Sequence, residues 1–334
     1  MHTPLLKGAQ VDQWISFDWE ALGANFWSAT VDGLTFGGIY ALVALGYTLV
    51  YGVLNLINFA HSEVFIVGAY AVVFTLTSLG FGPSVPNLAW YAIAANLLLA
   101  LVFGMLASAV TAFIVERVAY KPLRAKGAPR LVFLISAIGM SFVIQYLIFW
   151  WRGPNPEPAV IMFQNKPVFD IGGTLIYFDS ILIVSAAIIM MVVVDQFIRR
   201  SKLGRGIRAV AQDPDTATLM GVNRERIIVS TFILGGLLAG VAALFYVMKV
   251  PSGVLYLGGF LLGVKAFTAA VLGGIGNVRG ALLGGLLLGL IGNYGQILLG
   301  SAQWNDVVCF VVLIAVLMVR PEGILGSNLG KVRA

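Results

Sequence analysis

The sequence is poor in the features that soluble enzymes rely on. Charged residues make up 11% of its 334 residues, less than half the share of about 25% in a typical soluble domain. Its single cysteine, Cys309, excludes a disulfide framework and any multi-cysteine metal site. The two histidines, His2 and His61, form no HExxH motif, and no GxxxxGK[ST] loop is present. We therefore expect no catalytic residues, no resident metal or cofactor, and no P-loop site for ATP in this chain.

Long apolar runs are what the sequence has in abundance. Hydrophobic residues make up 59% of the chain, and a helix needs about 20 apolar residues to cross the hydrocarbon layer of a bilayer. Runs near that length cover 33–53, 63–79, 92–115, 131–151, 180–198, 227–249, 257–275, 281–299 and 305–319. The pattern predicts an all-α polytopic integral membrane protein. We expect eight or nine transmembrane helices, because the glycine-rich seventh and eighth runs could be broken or re-entrant.

The basic residues predict the orientation of these spans. Cytoplasmic loops are enriched in lysine and arginine. With nine spans and the N-terminus outside, 16 of the 21 basic residues fall on the cytoplasmic side. Lys7, Arg152, Lys166 and Lys249 fall outside, and Lys265 lies within an apolar run. We therefore expect an N-out, C-in chain, and we assign the net charge of +6 to loops beside a lipid bilayer rather than to a nucleic-acid surface.

The chain divides into a leader, a membrane domain and a tail. Residues 1–30 are rich in tryptophan and phenylalanine, which predicts an amphipathic helix on the outer membrane surface; a disordered leader is the alternative. Residues 31–320 form the predicted transmembrane domain, and residues 321–334 a cytoplasmic tail.

The outer loop, residues 152–179, has its own pattern. It carries four prolines and the pair Gly172–Gly173. Short β-like runs at Val160–Phe163 and Thr174–Phe178 predict a small hairpin exposed to the outside.

A polar cluster interrupts the first long apolar stretch at Asn55, Asn58, His61, Ser62 and Glu63. Ionisable groups at membrane depth cost several kcal/mol and usually face a cavity or a partner. One interpretation is a short cytoplasmic turn, with His61 or Ser62 capping the next helix and Glu63 in its first turn. The other is a discontinuous helix that lines a transport pathway.

A second interruption lies in the glycine-rich segment 257–300. Gly276, Gly280 and Gly284 are spaced by four, which favours close helix packing. Packing does not account for Lys265, which must snorkel or form a salt bridge, or for Asn277 in a glycine turn. Two interrupted segments, one per half, are typical of inverted-repeat transporters. We therefore assign a substrate pathway to one set of residues: Asn55, Asn58, His61, Glu63, Lys265 and Asn277.

The cytoplasmic loop 199–226 contains a predicted short helix at 214–220. Asp213 is a good N-cap, Pro214 suits the first helical position, and Gly221 suits the residue after the C-cap. The helix carries apolar residues that a solvated loop has no reason to expose, and basic residues precede it. We interpret this stretch as a docking element for another protein, with a plain loop as the alternative. The residues assigned to docking are Asp213, Pro214, Ala217, Leu219, Met220, Gly221, Arg205 and Arg208.

Several motifs, in order, resemble one family. Gly46–Tyr70, Glu116–Arg124, Ser201–Asn223 and Lys265–Gly276 are similar to segments of the H-type permease of bacterial branched-chain amino-acid ABC importers. The similarity runs from about residue 31 to Gly326. Two departures stand out: Ser62 replaces the family's usual glycine, and Asn277 follows Gly276 where the family usually has a proline.

This resemblance implies the partners and the location of the chain. They are a second, homologous permease subunit, two cytoplasmic ATPase subunits that bind the ATP, and an extracytoplasmic binding protein that delivers substrate. The chain would be a multi-pass protein of the inner (cytoplasmic) membrane, and the helix at 214–220 would match the family's coupling helix.

Two kinds of alternative stay open. Related permeases carry urea, short amides or other amino acids, so the substrate could differ. A stand-alone secondary transporter or channel would instead need a coupling-ion site, for which Glu63 is the one mid-chain carboxylate away from the end of a span.

Overall fold

The computed structural model describes residues 17–250, 252–320 and 322–326, and most of them are helical. The predicted leader up to residue 16 and the predicted tail at 321 and 327–334 lie outside the described residues. The long apolar helices are α2 (Phe26–Leu54), α3 (His61–Ser78), α4 (Trp90–Val115), α6 (Arg130–Arg152), α7 (Phe178–Arg200), α10 (Arg224–Lys249), α11 (Gly258–Gly273), α12 (Val278–Leu298) and α13 (Trp304–Val319). Shorter elements are α1 (Trp19–Ala24), a π-helical turn (Glu116–Tyr120), α5 (Lys121–Ala125), α8 (Lys202–Gln212) and α9 (Pro214–Leu219).

The nine long helices coincide, in order, with the nine apolar runs of the sequence. Within the described ranges seven of them are long and apolar enough to cross a membrane, and α11 and α13 are shorter apolar helices of 16 residues each. The prediction of an all-α polytopic membrane protein is confirmed.

Contacts between helix ends agree with nine alternating spans. At one end of the bundle, the Lys249 ammonium lies 3.5 Å from Asp179 and 3.9 Å from Asp32, joining α10, α7 and α2. At the other end, Arg279 of α12 pairs with Asp195 of α7 at 3.0 Å. Each pair joins ends that nine spans place on the same side. By the positive-inside rule the first cluster faces outward and the second faces the cytoplasm.

Glycines allow the central helices to pack closely. A Cβ on Gly285 would overlap Ala41 of α2, and one on Gly289 would overlap the backbone of α2 at Gly37. Gly280 and Gly284 face the backbone of α11 in the same way. The third glycine of the predicted stripe does not take part: Gly276 lies in the turn before α12 with φ +89° and has nothing within 4 Å of a Cβ position.

The outer hairpin is present, but its first strand was misplaced by the sequence pattern. The strands are β1 (Pro167–Ile171) and β2 (Thr174–Tyr177), antiparallel and joined by Gly172–Gly173. Two-residue turns with positive φ favour glycine, and the two glycines have φ +59° and +81°. Residues 160–163 are not a strand. Val160 and Met162 are apolar because they are buried against the bundle.

Candidate translocation pathway and docking helix

The N-terminus of α3 lies deep within the bundle rather than at its cytoplasmic surface. The His61 imidazole packs against Gly46 of α2 and faces Gly235 of α10, and a Cβ on Gly46 would overlap the ring. Gly46 and Gly235 are each 14 residues from the outer ion pair of Asp32 and Lys249, or about 21 Å at 1.5 Å per residue. By the same count Leu54 lies 22 residues, or about 33 Å, from Asp32, at the cytoplasmic end of the bundle. The irregular backbone between Leu54 and His61 therefore runs from that end back into the bundle, and membrane proteins place such backbone beside cavities or bury it in protein.

Glu63, two residues along, is a fully buried carboxylate bound by neutral donors. Its Oε1 accepts hydrogen bonds from Gln145 Nε2 at 2.9 Å and from Ser141 Oγ at 3.3 Å, both on α6. Ser62 Oγ lies 3.3 Å away and also donates to the Phe59 carbonyl at 2.7 Å. No cation neutralises Glu63 within the described part of the chain.

Several buried polar atoms around this cluster have spare hydrogen-bonding capacity. Among the described residues, Tyr47 Oη, His61 Nε2 and Glu63 Oε2 have no hydrogen-bond partner. Buried polar atoms are nearly always paired, and each orphan costs about 1–3 kcal/mol. This grouping, which we call the mid-membrane polar cluster (Tyr47, His61, Ser62, Glu63), is therefore suited to receiving a polar ligand or water.

Aromatic rings pack around this cluster, and a cytoplasmic cleft lies in the same part of the molecule. Tyr47 contacts His61 edge-on at 4.8 Å between ring centroids, and Phe267 of α11 lies between Tyr47 and Phe59 at 6.3 and 5.9 Å. The cleft has a volume of about 990 Å³. Its walls include Asn55 and Asn277, which the structure brings together at this mouth.

Asn277 and Lys265, also assigned to the pathway, have structural partners. Asn277 caps α12 by accepting from Arg279 N and Gly280 N at 3.0 and 3.3 Å, and its amide donates to the Leu325 carbonyl at 2.9 Å. Lys265 forms a salt bridge with Asp306 of α13 and donates to Asn305 at 2.8 Å. Of the two fates considered for Lys265, the salt bridge is the one observed.

The π-helical turn links the polar loop to the cytoplasmic end of α10. Tyr120 donates to Asn58 Oδ1 at 3.0 Å, and both side chains are buried. Arg124, one turn further on, pairs with buried Glu116 and with Glu225 at 3.0 Å. Such π-turns inside helices are frequent at functional sites.

The predicted cytoplasmic helix is α9, and its ends are formed as the sequence indicates. Asp213 caps it, accepting from the amides of Asp215 and Thr216 at 3.0 and 3.1 Å and from the Thr216 hydroxyl. These hydrogen bonds, the Thr216 hydroxyl first, lower the pKa of Asp213. Gly221 has φ +84°, so the chain leaves the helix through a left-handed residue.

The side chains of α9 divide between its inner and outer faces. Ala217 is buried against the rest of the molecule, whereas Leu219 and Met220 are 87% and 80% exposed. Before it, α8 forms an amphipathic helix that the sequence did not predict, with Ser201 as its cap at 2.8 Å. Arg205 and Arg208 lie on the exposed face of α8, and Arg208 donates to the Ile198 carbonyl.

Comparison with known proteins decides the family. The model of the family described as "Branched-chain amino acid transport system / permease component" matches residues 29–317. The chain belongs to this permease family. It is 44% identical, over 302 residues, to the high-affinity branched-chain amino acid transport system permease protein BraD of Pseudomonas aeruginosa, covering 89% of this chain and 94% of BraD. The LivH permease of Escherichia coli K12 is 40% identical over 307 residues, covering 88% and 94%. A probable LivH of Methanocaldococcus jannaschii is 27% identical over 316 residues, covering 90% and 92%.

The permease is thus a transport subunit and a multi-pass protein of the cytoplasmic membrane. The mid-membrane polar cluster and the residues around it include positions that sequence reasoning missed. Gln145 and Ser141 are polar residues on the buried stripe of an otherwise apolar span, which is a signal the sequence does carry. Tyr47 and Tyr120 gave no such signal, because tyrosine is common in apolar helices near the interface.

Proposed function

We propose that this permease is the membrane subunit of an ATP-driven importer that moves branched-chain amino acids into the cytoplasm. The observation that carries the proposal is α9, a capped helix on the cytoplasmic side that exposes Leu219 and Met220 to solvent. Exposed apolar side chains on a short, well-fixed helix support docking to a partner, because their burial there would be favourable.

The proposed partners follow from the permease family to which the chain belongs, and the docking role of α9 supports the ATPase subunits among them. Two cytoplasmic ATPase subunits bind the ATP, so the permease needs no nucleotide site or other cofactor of its own. A second, homologous permease subunit completes the membrane domain, and an extracytoplasmic binding protein delivers the substrate. The names of the relatives support the substrate class, since BraD and LivH are named as branched-chain amino acid permeases.

The pathway we propose passes the mid-membrane polar cluster and opens at the cytoplasmic cleft. A zwitterionic amino acid needs partners for its ammonium and carboxylate groups and apolar walls for its side chain. The unpaired atoms of Tyr47, His61 and Glu63 offer the polar contacts, and the aliphatic residues of α2 and α11 offer the walls.

The deciding experiment is uptake by the complete complex reconstituted in proteoliposomes. Uptake is compared between vesicles that have the binding protein inside and vesicles that have it outside. A radiolabelled panel should include leucine, isoleucine, valine, alanine, glutamate and urea. We expect leucine, isoleucine and valine to accumulate only with ATP on the ATPase side and binding protein on the other. Accumulation of urea alone would replace the substrate assignment. Uptake that continues without the ATPase subunits would favour a secondary transporter, with Glu63 as its ion site.

A further inference from the structure

The outer face holds a second cavity that the pathway does not use. It has a volume of about 360 Å³ and lies between the outer loop and the C-terminal end of α10. Its walls are mostly apolar, from Val160, Met162 and Phe163 of the loop and Val247 of α10. Val160 and Met162 are nearly fully buried, so this part of the loop packs against the bundle. Ligand sites for small molecules commonly have this size and this apolar lining.

Three polar side chains meet in this cavity, and two of them carry opposite charges. Lys249 Nζ lies 3.5 Å from Asp179 Oδ2 and 3.4 Å from Ser180 Oγ. Asp179 is buried, and its other oxygen, Oδ1, accepts from the Ser180 amide at 2.7 Å. Asn165 accepts from the Asp179 amide at 3.3 Å.

The contacts of Lys249 are longer than ordinary charge-assisted hydrogen bonds. Charge-assisted contacts between nitrogen and oxygen are commonly about 2.7–2.9 Å long, whereas all three contacts of Lys249 are between 3.4 and 3.9 Å. The ammonium, carried by α10, is shared between Asp32 of α2 and the Asp179–Ser180 pair of α7 without a short bond to either helix. A ligand carboxylate could therefore bind Lys249 without first breaking a strong bond.

We propose that this cavity is an outer binding site for a zwitterionic aliphatic amino acid. Lys249 would bind the carboxylate, Asp179 would bind the ammonium, and the four apolar side chains would contact the aliphatic side chain. The proposal rests on the function proposed above and adds a first contact on the outer face, ahead of the mid-membrane polar cluster.

The test measures binding by the purified permease complex in nanodiscs, without the binding protein. Radiolabelled leucine is bound and then displaced by leucine, by leucinol, which lacks the carboxylate, or by 4-methylpentanoate, which lacks the ammonium. Hydrogen bonds to charged groups make the expected effects at least about tenfold. Lys249→Met should weaken the binding of leucine by that factor and leave the affinity for leucinol unchanged. Asp179→Asn should weaken the binding of leucine and leave the affinity for 4-methylpentanoate unchanged.

Two controls distinguish loss of the binding site from loss of structure. Lys166→Met removes an exposed lysine from the same outer loop and should change nothing. Asp179→Asn/Lys249→Met removes both charges, so it leaves no unpaired buried ion, and it should bind leucine no better than either single variant. Unchanged leucine binding in Lys249→Met, or equal loss of all three ligands, would overturn the site. If the wild-type complex imports leucine but these variants bind it normally, the site alone fails; if no branched-chain amino acid is imported, the proposed function fails.

Discussion

The Tyr120 hydroxyl donates a 3.0 Å hydrogen bond to the Asn58 side-chain oxygen, tying the π-helical turn after α4 to the loop that leads into α3. The same turn holds Glu116, whose partner Arg124 also binds Glu225 at the start of α10. α10 follows α9 directly in the chain after Asn223. A continuous set of contacts therefore runs from the exposed cytoplasmic helix to the polar loop at membrane depth.

Tyr120→Phe tests the first of these contacts. The variant removes one hydroxyl and leaves the buried Asn58 oxygen without its donor, which should lower the free energy of unfolding by about 1–3 kcal/mol. We expect uptake to fall while the ATPase subunits still co-purify, because the docking helix is unchanged. Tyr91→Phe, at an exposed tyrosine of α4, is the matched control and should behave as wild type. Normal uptake and stability in Tyr120→Phe would show that the contact has no role.

Gly46→Ala tests the packing of the His61 imidazole against α2. A Cβ at Gly46 would overlap the His61 imidazole, whereas a Cβ at Gly139 of α6 meets nothing within 4 Å. Overpacking of this kind costs about 1–3 kcal/mol, so Gly46→Ala should lower the thermal unfolding temperature and uptake together. Gly139→Ala should be neutral or slightly stabilising, since alanine is the better helix former. Equal behaviour of the two variants in thermal unfolding would contradict the position given to His61.

Much of this architecture could be predicted from local sequence. Span length and apolar content locate the nine long helices, because a helix that crosses the hydrocarbon layer needs about 20 predominantly apolar residues. Cap chemistry located α9 to within a residue, since Asp213, Pro214 and Gly221 act through their immediate neighbours. Each of these signals depends only on residues that are close together in the sequence.

The site could be predicted only in part, because its contacts join distant segments. Glu63 was found as an isolated carboxylate, but its partner Gln145 lies 82 residues away, and no pattern in a single sequence pairs them. Asn277 was assigned to the pathway, although its oxygen caps α12 and its amide binds the C-terminal segment at Leu325. At Val160–Phe163 an apolar run looked like a strand because burial in an irregular loop gives the same composition.

Substitutions at Asn277 separate a structural role from contact with substrate. Asn277→Asp and Asn277→Leu both lose the amide donor to the Leu325 carbonyl. Asn277→Asp keeps an oxygen that accepts from Arg279 N and Gly280 N, so it should keep the cap of α12 and more of the uptake than Asn277→Leu. Asn277→Leu also loses the cap, at a cost of about 1 kcal/mol. We expect its thermal stability and uptake to fall together. A loss of uptake at unchanged unfolding temperature would instead point to substrate contact.

The orientation can be tested by labelling single cysteines with an impermeant maleimide in intact cells. Cys309 is buried, and Cys309→Ala removes it from the background. Lys166→Cys lies on the exposed outer loop and should react from outside. Thr218→Cys on α9 should react only after permeabilisation, and this position leaves the hydrogen bonds of the Asp213 cap intact. Reaction of both cysteines from the same side would refute nine alternating spans.

The docking role of α9 is tested most directly at Leu219. Leu219→Asp would place a charge on a side chain that is 87% exposed in the free permease, so the fold should tolerate it. Buried hot spots of protein interfaces typically cost about 2 kcal/mol or more when lost, which corresponds to roughly a 30-fold weaker complex. We expect reduced co-purification of the ATPase subunits, with substrate-stimulated hydrolysis and uptake falling in parallel. Lys126→Asp, on the exposed cytoplasmic turn after α5, reverses a charge away from α9 and should leave all three measurements unchanged. Gly221→Val, which would strain a residue at φ +84°, should resemble Leu219→Asp because it displaces the end of the same helix. Wild-type stoichiometry and uptake in Leu219→Asp would remove α9 from the interface and leave Arg205 and Arg208 as a basic patch at the membrane surface.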